Sequence, residues 1–155
     1  MIKNYIKITV ALLFIPAFAY ANEHKHETNP VELLVYKTPT GGCCKEWISH
    51  IEDEGIIVQA KNYQDKHGIQ PNYRSSHTAI TKHSFAFESH VPAKFIQKSL
   101  SENRPNAIRL SVPVMPIGSP GMEVGEHFMP YNGLILFKAG TSKFYANIKA
   151  YKEQF

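Results

Sequence analysis

Two cysteines stand side by side, Cys43-Cys44, directly behind the run Thr38-Pro39-Thr40-Gly41-Gly42 and just ahead of Trp47. They are the only cysteines in the chain. A bond between adjacent cysteines would close a strained eight-membered ring, far from relaxed disulfide geometry, so the pair is a poor structural staple. A Gly-Gly turn followed by a helical pattern instead puts both sulfurs at a helix N-terminus. There the unpaired N–H groups and the positive end of the helix dipole favour thiolate over thiol. A thiolate is the nucleophile of redox chemistry and a soft ligand for Cu(I). Redox pairs are usually spaced Cys-x-x-Cys, so that the sulfurs meet across the first helical turn. A metal needs the sulfurs only to point at one centre, and the adjacent spacing therefore favours metal binding over a dithiol cycle. Two small buried apolar residues would be the plain alternative, but such a pair fits poorly after a Pro-Thr-Gly-Gly loop.

Eight histidines and the methionines add further donors. His77 and His90 are flanked by strand-forming or apolar residues, which would fix an imidazole in place. His24 and His26 lie in a polar stretch and read as solvated. His50 falls on the exposed face of the helix after Cys44, and His67 and His83 sit at turns. Met115 and Met122 occur in a Pro/Gly-rich segment off any helical stripe, where thioether sulfur is available to copper in particular. His127, near Met129, is a weaker instance of the same idea. No Asp/Glu cluster suits Ca²⁺ or Mg²⁺. Cys43, Cys44, His77 and His90 are thus the leading candidate ligands, with Met115, Met122 and His127 behind them. A Cys₂His₂ set also suits tetrahedral zinc, but the methionines tilt the choice to copper.

Those residues must be positioned by the elements around them. The chain opens with Lys3 and Lys7, an apolar run from Ile8 to Phe18, and Ala19-Tyr20-Ala21, the pattern of a cleaved secretory signal peptide over residues 1–21. The run is short of the roughly 20 residues a membrane helix needs, and no later segment approaches that length. Losing Lys3 and Lys7 removes two of the four net positive charges of the 155-residue chain, and with them any strong case for nucleic-acid binding. Residues 22–30 read as a flexible leader, and 31–155 as one domain. Within it, Val31–Tyr36 reads as a strand, Cys43–Glu54 as a helix striped by Trp47, Ile48 and Ile51 and closed by Gly55, and Ile56–Ala60 as a second strand. Asn62–Asn72 is polar, with room for one short helix. Ser76–Thr81 and Ser84–Glu88 read as short strands. Pro92 is expected at N1 of a helix reaching about Ser101. Arg104–Pro130 reads as a long Pro/Gly-rich loop, followed by a hairpin of Leu134–Phe137 and Lys143–Ile148. This order predicts an α/β fold, a single thioredoxin-like α/β sandwich.

Five segments recur in the order of a known family: Val35 to Thr40, the Gly-Cys-Cys core with Trp47, Ser76 to Ala79, Ser89 to Pro92, and Met115 to Glu123. Together they resemble the CopG-like periplasmic proteins of bacterial copper-resistance systems, over about Val31 to Phe137. The resemblance implies a thioredoxin-like, exported, copper-handling protein that works with other periplasmic copper proteins. The family pattern is usually Cys-x-Cys-Cys, with another Cys before His-Thr-Ala. Here Gly41 and Ser76 stand at those two places, so the multinuclear thiolate-bridged cluster that four cysteines support gives way to one or two copper ions. Imidazole with thiolate accommodates both Cu(I) and Cu(II), and interconverting them is the activity an enzyme reading would assign. A monomer is expected, and the alternatives are a thiol–disulfide oxidoreductase on the same fold and a chaperone that delivers copper to an exported partner.

Overall fold

The computed structural model describes residues 30–62 and 77–155. The signal peptide, the leader up to residue 29, the polar segment 63–72 and Ser76 lie outside the described residues, as do His24, His26 and His67. No helix among the described residues is long and apolar enough to cross a membrane.

Strand β1 (Glu32–Lys37) alternates in burial as a period-two element should, with Leu33 and Val35 buried and Leu34 and Tyr36 only partly so. It leads into helix α1 (Gly42–Asp53), which buries Cys44, Trp47 and Ile51 on one face. The helix ends as the sequence predicts, with Gly55 at φ +78° donating to Glu52 O at 3.0 Å. Strand β2 (Ile57–Asn62) returns parallel to β1. Strands β3 (His77–Thr81) and β4 (Ala86–Glu88) form an antiparallel hairpin, with β3 also antiparallel to β1. Helix α2 (Ala93–Ser101) follows. Pro92 is its N-cap rather than N1, because its ψ of 144° leaves it extended and makes Ala93 the first helical residue. The helix buries Ala93, Ile96 and Ser99, and Leu100 is on the exposed side.

The segment expected to be one long loop contains a strand, β5 (Ala107–Ser111), parallel to β4. Its half-buried edge residues and an Arg in the middle mask the alternation that would have announced it. Strands β6 (Tyr131–Phe137) and β7 (Ser142–Ile148) then add the expected hairpin, and a 3₁₀ helix, Tyr151–Gln154, closes the chain. Among the described residues the result is a mixed α/β fold with two α-helices and one seven-stranded sheet in the order β2-β1-β3-β4-β5-β6-β7. Leu33, Val35, Ala79, Phe87, Leu110 and Ile135 of the sheet share a core with Trp47, Ile51 and Ile96 of the helices.

What remains of the loop, between β5 and β6, is tightly wound. Ser119 Oγ donates to Pro116 O at 2.7 Å, Met122 N to Ser119 O at 2.8 Å and Gly118 N to Met122 O at 2.9 Å. Gly121 holds this turn against α1. Its φ is +80°, and a Cβ there would lie 2.6 Å from both Cys43 O and Trp47 N, backbone atoms that cannot rotate away. Gly121→Ala is therefore expected to cost more than about 3 kcal/mol, against about 1 kcal/mol for Gly55→Ala, where the backbone conformation is the whole penalty. Denaturant unfolding of the two variants checks the ranking; equal losses would contradict it.

Candidate metal centre

The C-terminal end of β1 is the end of the sheet where the candidate ligands collect. A turn closed by Gly41 N donating to Thr38 O, at 3.3 Å, feeds α1 and sets Cys43 and Cys44 in its first turn. Because β3 is antiparallel to β1, it begins at this end, with His77 in register with Lys37. Strand β4 ends here for the same reason. Ser89, at φ 68°, donates its N–H to His77 O at 3.2 Å, and Val91 N donates back to Ser89 O at 2.9 Å. This tight turn faces His90 inward. The two imidazoles meet edge to face, ring centroids 4.9 Å apart at 82°, and both residues are wholly buried.

Trp47 ties this pair to the cysteine helix. Its ring lies 4.3 Å from that of His77, and its Nε1–H donates to Val91 O at 3.0 Å. Trp47 is three residues beyond Cys44, on the same buried face of α1. The two thiols differ: Cys44 is fully buried, whereas Cys43 is partly open, and both are free of disulfides. On the loop side, Gly121 abuts the backbone of Cys43, and the preceding Pro120 presents its carbonyl to His90 Nδ1 at 2.8 Å.

That last bond fixes the chemistry of His90. A carbonyl oxygen only accepts, so Nδ1 carries the proton and Nε2 carries the lone pair. His90 Nε2 is buried and has no hydrogen-bond partner among the described residues. A metal-bound histidine is arranged in this way, one ring nitrogen donating to a carbonyl and the other left for the ion. Burial also keeps both rings neutral. The His77 pKa is lowered to about 3, by burial first and then by the neighbouring His90, with a hydrogen bond to the Ser89 backbone acting in the opposite sense. Burial lowers that of His90 too, opposed by the Pro120 carbonyl and the charge of Glu123. Neutral imidazole is the form a metal takes.

The other candidates are placed differently. Met122 follows Gly121 directly and is half-buried. Met115, at φ 47°, lines an apolar groove of about 550 Å³ together with Ile117, Met129, Leu134 and Phe144. His127 is exposed, on a turn where its N–H reaches Val124 O at 3.1 Å. His83 is exposed at its turn as expected, but His50 is not: it is half-buried, Nε2 accepting from Ala93 N at 3.3 Å, so it caps α2 from α1. Among the described residues no three His, Cys, Asp or Glu side chains converge closely enough to hold a metal ion. The donors are thus neighbours at one rim rather than a closed coordination shell.

Gly41 bears on the thiol count. A Cβ at this position would lie 2.7 Å from Thr38 Oγ1 and 2.8 Å from Cys44 Sγ. A side chain at 41 would thus enter the space that the Cys44 sulfur borders. Sequence reasoning missed the Pro120 carbonyl and the stacking of Trp47 on His77. Nothing in residue type announces a backbone acceptor, and Trp47 already accounted for itself as part of the helix's apolar stripe.

Fold and site define a mixed α/β domain with Cys and His donors gathered at one end of its sheet. Residues 73–122 match a family described as "Protein of unknown function, DUF411", a span that includes both buried histidines, Met115 and Met122 but not the cysteines. Two solved structures, forms 1 and 2 of copper resistance protein CopG, align with TM-scores of 0.71 and 0.69 at 31% identity. They cover 78% and 77% of this chain and 99% of their own. The chain belongs to the CopG family. No curated protein matches the sequence.

The buried imidazoles carry a pH signature. Both are held below the ordinary histidine range when folded, so the unfolded chain binds more protons once the pH falls below about 6.5. Stability of the metal-free protein should fall as pH drops through that value, and for His77 should go on falling to about pH 3. Each histidine contributes a slope of up to about 1.4 kcal/mol per pH unit. Urea unfolding at pH 7.5 and 5.5 should show the decline, and His77→Phe should flatten it by about one proton's worth. A slope that His77→Phe leaves unchanged would show that His77 is not buried as a neutral base.

Proposed function

We propose that this chain is an exported, periplasmic copper-binding protein of copper resistance, taking one or two copper ions between Cys43, Cys44, His77 and His90. The observation that carries the reading is His90 Nε2, a buried lone pair with no partner among the described residues, its tautomer set by Pro120. An unpaired buried nitrogen costs free energy in the empty protein, about 1–3 kcal/mol, and a bound ion would remove that cost. Kinship with copper resistance protein CopG supports copper as the metal. The thioredoxin-like reading rests on the strand order β2-β1-β3-β4, with a parallel β1-α1-β2 unit followed by the β3-β4-α2 hairpin and helix.

Two thiolates with two imidazoles suit Cu(I) and tolerate Cu(II), so copper is the cargo here and also the species whose oxidation state the site would change. Met122, which directly follows the Gly121 that abuts Cys43, is the reserve donor; Met115 and His127 would serve only as outlying contacts. The protein would act as a monomer, exchanging copper with other periplasmic copper-handling proteins. The oxidoreductase alternative requires insulin-type reductase activity through Cys43 and Cys44.

Anaerobic Cu(I) titration of the mature protein against a competing chelator should give one to two ions per chain, held in preference to zinc. Cys43→Ser/Cys44→Ser should abolish tight binding, and His90→Phe should weaken it by more than about tenfold, the effect that even outer-shell partners of metal ligands command. A double cysteine variant with wild-type affinity and stoichiometry would overturn the assignment.

A further inference from the structure

The loop that presents Pro120 to His90 is itself held from the far end of the chain. The closing 3₁₀ helix is fastened on its outer side: Lys94 Nζ, on α2, donates to Glu153 O at 3.1 Å and to Phe155 O at 2.8 Å. Glu153 Oε2 accepts from Lys149 N at 2.7 Å, and the Phe155 ring packs edge-on against His50 with centroids 5.6 Å apart. This leaves Gln154 to point inward, where it is wholly buried. Its Oε1 accepts from the Tyr131 hydroxyl, and its Nε2 donates to Gly118 O at 2.9 Å. Both ends of the amide are therefore satisfied, and each is directional. Gly118 is two residues from Pro120 and bonded through its own N–H to Met122 O, so the amide grips the turn that carries the His90 acceptor.

We infer that Gln154 is a positioning residue for the candidate metal centre, acting through Gly118 and Pro120 to fix the tautomer and orientation of His90. Its two side-chain hydrogen bonds go to Tyr131 and Gly118, neither of them a candidate ligand. A merely space-filling residue would not need both a donor and an acceptor at opposite ends of one side chain. Burial, with Glu123 adding to it, pushes the Tyr131 hydroxyl above its ordinary range and keeps it a donor to this amide. The inference uses the copper reading for its consequence, but the His90 tautomer itself is a property of the metal-free protein.

The test is ¹⁵N NMR of the histidine side chains in the metal-free full chain, followed by anaerobic Cu(I) titration. Gln154→Leu removes both bonds. Gln154→Glu keeps the acceptor for Tyr131 and replaces the donor to Gly118 by another acceptor, and it serves if the leucine variant does not fold. Ile56→Val, a core change remote from the loop, is the control for general destabilisation. The hydrogen-bonded Nδ1–H signal of His90 should shift or vanish in both Gln154 variants and stay in place in Ile56→Val. Cu(I) affinity should fall about tenfold with it, as for other residues that orient a metal ligand. A folded Gln154 variant with the wild-type His90 signal overturns the inference. If the wild-type chain binds no copper, the proposed function fails, and the His90 signal still decides the role of Gln154.

Discussion

Two imidazoles buried edge to face inside a small domain impose a strict condition on everything around them. Neither can take up a second proton without placing a charge in the core, and a buried ring nitrogen that lacks a partner raises the energy of the protein. The fold meets this condition by supplying backbone atoms at fixed positions. The hairpin turn at Ser89 faces His90 toward His77, and the Pro120 carbonyl sets its proton on Nδ1. Trp47 closes the other side, its ring against His77 and its N–H spent on Val91. The length of the segment between β5 and β6 follows from the same condition: a chain that crosses the end of the sheet to reach His90 with a carbonyl needs turns, and turns need Pro and Gly.

Much of this was visible in the residues beforehand. The glycine turn and the stripe Trp47, Ile48, Ile51 placed α1 and its thiols correctly, because amphipathic period and punctuation act locally. The hairpins of β3-β4 and β6-β7 were legible for the same reason. His77 and His90 stood out because apolar or strand-forming neighbours rarely leave an imidazole in water. The missed elements depend on partners distant in sequence. Strand β5 is recognisable only beside β4 and β6, since Arg109 interrupts its pattern and Asn106-Ala107 resemble the loop before it. His50 looked solvated from its helical position, and it is the arrival of α2 that gives its nitrogen a donor. The last turn of the chain, Tyr151–Gln154, carries no sequence signal that would distinguish it from a frayed terminus.

The candidate donors and the sheet draw on different residues. The sheet depends on Leu33, Val35, Phe87, Leu110 and Ile135, none of which is a donor, and Cys44 is the one thiol as buried as they are. The site is built on the rim, from a helix start, a strand start, a strand end and one loop. The chain belongs to the CopG family, and Gly41 stands on this rim and not in the core.

Gly121 and Gly41, each packed close to a cysteine, differ in what they permit. At position 121 any side chain would overlap main-chain atoms of α1, so the residue is locked for as long as the helix stays where it is. At position 41 the atoms in the way are the hydroxyl of Thr38 and the sulfur of Cys44, both ends of side chains that rotate about a single bond. A side chain at 41 asks both of these to turn, with no movement of the backbone. The two positions thus differ in kind: one is closed by main chain, the other only by side chains.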